Sequence, residues 1–288
     1  MNHPNHAFYP SSSVQSEAES IVIIRDTKSI AKYIAGAESI VSELGITIEI
    51  GSDFDFFCSI PNVQPDRHAV SPIFDPDESC ISASNGFWLI GRNAAGEIVL
   101  TQAIKLIPVG EAGFLTHLTE NLADYRPKGD RLDIAKSQVH LTDRAARLSG
   151  DLCYYGELWI KNTYRGSCLT AVMPRLMFAI AIAKWSPNVV FGVMEPLAAC
   201  KGLAAREGFM HLEQGGLHWW DRVSSETMEE WLVWTTKDDF IFNMRVSPEM
   251  LSNLYPSRIG KKPAKVSEVC LLYTSPSPRD LRQDLVCR

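Results

Sequence analysis

The sequence predicts a mixed α/β fold, and three stretches carry that prediction. Phe87-Trp-Leu-Ile-Gly-Arg92 and Ile98–Leu106 are apolar, β-rich runs flanking an Asn-Ala-Ala-Gly-Glu turn, which is the pattern of a β-hairpin. Tyr155–Thr170 reads as a short apolar strand over Gly156–Ile160, a polar turn at Lys161-Asn-Thr163, and the start of a helix. That helix carries Leu169, Val172, Met173, Leu176, Ile180 and Ala183 on one face. Val189–Val193 has the near-continuous apolar character of a buried strand.

Residues 1–19 are rich in Ser, Asn, His and Pro and read as a disordered leader, His3 and His6 included. Ile21-Val-Ile-Ile-Arg25 is a β-branched run that predicts a first strand. A helix follows to about Leu44, with Ile30, Tyr33, Ile34, Ala37, Ile40 and Val41 on one face and Gly45 as its stop. Ile46–Ile50 alternates as a strand. Ser52–Cys58 reads as a loop or short helix with Phe54, Phe56 and Phe57 partly in the core. Residues 61–85, with four prolines and the acidic Asp75-Pro-Asp-Glu78, read as a loop.

Residues 107–150 read as an insertion. It carries a short helix over Phe114–Leu122, a turn at Arg126-Pro-Lys-Gly129, and a second helix within His140–Leu148 capped by Thr142. It either shapes a cleft or covers a sheet edge. Pro174 requires that the helix after Arg165 begin near Ala171 or bend. Pro196 starts a helix that Gly208 ends, and strand segments follow at Phe209–Glu213 and Leu217–Trp220. Trp231–Thr236 reads as a final core strand, and Pro248–Leu254 as a short helix. Residues 246–268 form a C-terminal extension. Residues 269–288 resemble translated read-through and are set aside as a non-native tail.

Composition excludes several classes. A net charge of −6 and a pI near 5.7 argue against bulk nucleic-acid binding, which needs a basic footprint. Seven cysteines, an odd number, without a C-x-x-C or Cys/His cluster, argue against a disulfide framework or a zinc site. Free thiols suit a reducing, cytoplasmic setting. The N-terminus lacks an apolar signal core, and the longest apolar-rich run, Ala171–Ala183, holds Pro174 and Arg175 and is too short to span a bilayer. The oligomeric state is open, a homodimer included.

A strand that turns through Arg165-Gly166 into a helix N-terminus is a natural anion site. The first-turn N–H groups lack intrahelical partners, and the helix dipole adds positive potential. The same pattern suits a plain strand-turn-helix with a solvated arginine, and the physics favours neither.

Arg165-Gly166-Ser167-Cys168-Leu169-Thr170 resembles the Q/R-x-x-G-x-G/A turn of the GCN5-related N-acetyltransferases, between that family's fourth strand and third helix. Arg165 matches, and Gly166 is common there; Cys168 and Thr170 stand at the two later Gly/Ala positions. Val189–Met194 resembles the fifth strand, Leu203–Phe209 the L-Y-x-K-x-G-F helix end, and the 87–106 hairpin the second and third strands. The likeness covers roughly residues 86–236, within a domain spanning 20–245.

The resemblance implies a mostly antiparallel, twisted central sheet with helices on both faces. It implies acetyl-CoA or another acyl-CoA as co-substrate and no metal. The reaction would be transfer of a short acyl group, by direct attack, to the amine of a small molecule or peptide. Leu158, Trp159 and Ile160 would flank the thioester, one backbone N–H polarising its carbonyl. Arg165, Gly166, Ser167, Cys168, Leu169 and Thr170 would hold the pyrophosphate. Glu157 is the first candidate base, since the family often has a carboxylate on this strand. Glu195 is the second, with complementation of a helix N-terminus as its alternative role. The family's general-acid tyrosine falls on Ala204, so that acid is absent or supplied elsewhere; Tyr155 and Tyr164 are near in sequence. His211 and His218 are further candidate bases, and Cys168 a candidate nucleophile. Two other readings share the fold: an acyl-homoserine-lactone or carrier-protein-dependent transferase, and a non-catalytic acyl-CoA-binding module.

Overall fold

The computed structural model describes residues 12–129 and 131–256, with side chains from residue 27. The elements run α1 (Ser12–Glu43), β1 (Ile46–Gly51), α2 (Phe54–Ser59), β2 (Gly86–Asn93), β3 (Ile98–Gly110), α3 (Phe114–Glu120), β4 (Leu132–Val139) and α4 (Asp143–Ala146). They continue β5 (Gly150–Ile160), α5 (Leu169–Trp185), β6 (Val189–Met194), α6 (Pro196–Cys200), α7 (Leu203–Glu207), β7 (His211–Asp221), β8 (Glu226–Thr236), α8 (Lys237–Asn243) and α9 (Pro248–Leu254).

All eight of these strands form one sheet in the order β1-β2-β3-β5-β6-β8-β7-β4. Every neighbouring pair is antiparallel except β5 and β6. The fold is therefore mixed α/β with a mostly antiparallel sheet, as expected. Strand alternation divides the core between two faces. Trp88, Ile90, Leu152, Tyr154, Leu232 and Trp234 pack on one side with Phe54 and Phe57 of α2 and Phe114 of α3. Phe87, Leu89, Cys153, Tyr155 and Val233 pack on the other with Met177 and Phe178 of α5 and Phe240 of α8. At about 25 cal/mol per Å² of apolar surface, burial of such rings dominates the stabilisation of the sheet.

The hairpin, the 46–50 strand and the helix over Phe114 form where the pattern puts them. Three expectations need correction. Ile21–Arg25 is helical, inside α1. No Gly, Pro or Asn separates the β-branched run from the amphipathic stretch after it, and extending a helix is cheaper than starting a new element. Of the expected leader, residues 12–19 belong to α1, and 1–11 lie outside the described residues. The stretch 196–208 is two helices, parted at Lys201-Gly202. Helix α5 starts at Leu169, two residues before the expected Ala171, and carries Pro174 in its second turn.

The insertion yields a strand that periodicity does not reveal. β4 holds a buried Leu132 but otherwise polar or partly exposed residues, and it pairs with β7 at the sheet edge. A polar edge strand carries little apolar alternation to read. Residues 257–288, with the expected tail, lie outside the described residues.

Candidate active site

β5 and β6 are paired only from Leu152–Tyr154 to Val189–Phe191; beyond Tyr154 the two strands separate. The local cause is a bulge. β5 shifts register against β3 between Thr101 and Ala103, where Glu157 sits at φ +59°. The extra residue resets the alternation, so Trp159 returns to the face of Tyr154. A non-glycine residue at positive φ costs roughly 1–2 kcal/mol, and side-chain contacts hold it there. The Glu157 carbonyl accepts from Thr101 Oγ1 at 3.1 Å. Its carboxylate Oε1 accepts from Ser71 N at 2.8 Å and Ser71 Oγ at 2.6 Å, and Oε2 from Arg67 Nη2 at 3.2 Å. Arg67 is buried, with Nε donating to Thr101 Oγ1 at 3.0 Å. Glu157 thus ties the 67–71 loop to the bulge.

A cavity of about 620 Å³ opens where the strands separate. Tyr154–Trp159 of β5 and Gly192–Glu195 of β6 form its long walls. From one face of the sheet, Arg67, Ser71, Tyr125 and Lys128 close around it; from the other, Ala198, Leu203, Glu207 and Phe209 do. It therefore reaches both faces. Gly192 is needed for this shape, since a Cβ there would come within 2.9 Å of the Tyr155 carbonyl. Lys161 N–H bonds Val99 O on β3 at 2.8 Å. Strand alternation from that anchor turns the N–H groups of Leu158 and Ile160 toward the unpaired edge of β5.

Two acidic side chains in this cavity were not picked out from the sequence. Glu230 of β8 accepts from Trp219 Nε1 at 2.7 Å. Burial pushes its carboxyl up to about 7; the indole N–H pulls the other way, and Glu195 adds to the rise. Glu207 is buried, and desolvation pushes its carboxyl up to about 8 against the opposing charges of Arg175 and Arg206. The signal for Glu230 was present: it shares a strand face with Leu232 and Trp234, an acid in line with core residues. Glu195 lines the cavity but is exposed.

Phenols also line the site. Burial pushes Tyr154 up, and the Glu230 and Glu157 carboxylates push it further. Tyr125 is raised by burial and pairs with His117 Nε2 at 2.8 Å. Tyr155 OH donates to Gln102 Oε1 at 3.0 Å. Ala204 is packed in the core and offers no proton. The expected histidines lie apart: His211 bonds Asp239 at 2.9 Å, and neither it nor His218 reaches this cavity.

The Arg165–Thr170 corner does not line the cavity but follows directly from its Trp159 wall. It is open. Arg165 and Gly166 are exposed, and Gly166 takes φ +71°. Arg165 Nε donates to Ile160 O at 2.8 Å, which fixes the stem of the side chain. The N–H groups of Gly166, Ser167 and Thr170 have no acceptor among the described residues. Cys168 is fully buried and burial raises its thiol, which disfavours a nucleophilic thiolate.

No protein-family model matches the chain, and no curated protein does. Among solved structures, it is similar to Arabidopsis thaliana NAA60 in complex with acetyl-CoA, at 13% identity, covering 67% of this chain and 99% of that one, with a TM-score of 0.39. It is similar to a mutant of the SpeG spermidine N-acetyltransferase of Vibrio cholerae at 9% identity, covering 68% and 96%, with a TM-score of 0.39. It is also similar to a GNAT-family acetyltransferase of Streptococcus pneumoniae at 12% identity, covering 66% and 99%, with a TM-score of 0.34. Among the described residues there is no metal-ligating cluster of three or more His, Cys, Asp or Glu, and no helix long and apolar enough to cross a membrane.

Proposed function

We propose that this chain transfers an acetyl or other short acyl group from acyl-CoA to the amine of a small molecule or peptide. The observation that carries the reading is the separation of β5 from β6, which opens a passage from one face of the sheet to the other. Two reactants that enter from opposite faces meet at the bulge without competing for one mouth, which is the arrangement direct attack requires.

The thioester arm enters on the face of α5 and α7, past Ala198, Leu203 and Phe209. The open amides at Gly166, Ser167 and Thr170 lie on that same face, at the start of α5, and would take the pyrophosphate with Arg165. Leu158 N–H faces the gap and suits the role of donor to the thioester carbonyl. The amine enters past Ser71 and Tyr125, so the 107–150 insertion supplies part of the acceptor wall. Both oxygens of Glu157 are engaged, which suits a fixed charge better than a proton carrier; Glu195 suits an electrostatic role beside Glu230. Residues 20–245 would be the catalytic unit, braced by α9.

Binding of acetyl-CoA is expected to raise the melting temperature, and Arg165→Ala to cut that protection by about 1–2 kcal/mol, as for one charge-assisted phosphate contact. No protection at millimolar acetyl-CoA removes the reading. The burial of Ala204 among apolar neighbours, where the resembled family carries its acid, favours a second reading, a non-catalytic acyl-CoA binder. That reading predicts thermal protection with no thiol release across a panel of amines.

A further inference from the structure

We infer that Glu230 is the catalytic base of this site, taking the proton that the acceptor amine sheds. The inference rests on the acyl-transfer reading and deepens it.

The geometry separates Glu230 from the other acids. Glu157 spends three donors on its two oxygens and is an internal strut. Glu195 is exposed at the rim. Glu207 lies at the α7 mouth, on the face assigned to the thioester arm. Glu230 comes from β8 on the face of Leu232 and Trp234, where the amine enters. One of its oxygens is fixed by Trp219 Nε1 at 2.7 Å, and its other oxygen has no partner among the described residues. An oriented carboxylate with one free oxygen is the equipment a proton acceptor needs.

The charged and titratable groups that share the cavity with it are Glu195 from β6, Tyr154, Tyr155 and Glu157 from β5, Glu207 from α7, and Arg67, His68, Tyr125 and Lys128 from the loops. Burial and the Glu195 carboxylate disfavour its ionised form. The positive groups that would favour it are committed elsewhere, Arg67 to Glu157 and Lys128 to Asp75 and Glu78. A carboxyl poised near neutrality follows, as burial and Glu195 indicate.

In the step, the amine lone pair forms the C–N bond to the acyl carbon and the C–S bond breaks. Its electron pair leaves with sulfur as the CoA thiolate. The proton lost from nitrogen passes to the free oxygen of Glu230 and from there to water. The thiolate leaves unassisted and takes its proton from water.

The test uses the full chain with acetyl-CoA and a panel of benzylamine, cadaverine, lysine methyl ester and a free-N-terminus tripeptide, followed by thiol release. In the wild type, kcat at saturating amine rises with pH to a plateau with a midpoint near 7. Glu230→Gln lowers turnover by about 10²–10⁴-fold, while acetyl-CoA protects it thermally as it protects the wild type. Trp219→Phe removes a donor to the ionised carboxylate and moves the midpoint upward. Independently of any acceptor, tryptophan fluorescence steps near pH 7 in the wild type and not in Glu230→Gln. Turnover within threefold of wild type in Glu230→Gln overturns the inference, as does a wild-type fluorescence titration without that step. Absence of acetyl-CoA protection in the wild type overturns the acyl-transfer reading beneath it.

Discussion

Glu157 and Glu230 look into one cavity from opposite sides, and the contrast between their surroundings teaches what makes an acid structural or chemical. Glu157 sits at a strained bulge, meets a buried arginine and two serine donors, and joins segments 90 residues apart in the chain. Glu230 stands on β8 beside a register shift in β7, accepts one indole N–H, and otherwise meets the like charge of Glu195 and apolar walls. The first environment engages both carboxylate oxygens and holds the side chain in place. The second leaves ionisation nearly balanced at neutral pH.

The sharpest way to break the contrast is Arg67→Ala. It leaves Glu157 buried without its counter-charge and frees the 67–71 loop, for an expected loss of about 3–5 kcal/mol in denaturant unfolding. A loss below about 1 kcal/mol would mean that the pair is not a strut. Next is the second raised carboxyl, Glu207. Burial lifts its folded-state value from 4.5 to about 8. Stability carried by the protonated form is therefore complete below pH 4.5 and is lost as pH rises through about 8. Glu207→Gln is expected to flatten that decline, gaining on the order of 2–4 kcal/mol over wild type at pH 9 and little at pH 5. Parallel pH–stability curves for the two proteins would refute it. Smaller again is Gly192→Ala. Its new methyl meets the Tyr155 carbonyl at 2.9 Å, for an expected loss of about 1–3 kcal/mol in stability and weaker thermal protection by acetyl-CoA. Unchanged protection would show that the strand separation tolerates widening.

The sequence made legible whatever depends on near neighbours. Hairpin 87–106 and strand 46–50 declare themselves by alternation and turn residues, and the Arg165 corner by a strand giving way to helical spacing. What stayed hidden depends on distant pairing. The strand 132–139 is polar because only one neighbour covers it, and its partner lies far downstream. Glu157 was legible as an acid beside the site, but its engagement by Arg67 was not, since nothing local links the two residues. Glu230 follows another acid, Glu229, and precedes Trp231, a context that reads as an ordinary strand entrance until β5 and β6 part beside it. Ile21–Arg25 misled for the opposite reason: local β-propensity yielded to a helix continuing through it.

The placement of β4 constrains how the protein is made. Among the described residues, strand 132–139 pairs only with 211–221, so on the ribosome this segment emerges with no strand to receive it until roughly eighty further residues have followed. For that interval its backbone groups are solvated or captured by whatever else is near, and its polar side chains make non-native association unrewarding. The weak patterning that conceals this strand from a reader of the sequence is thus also what keeps the growing chain out of trouble while it waits.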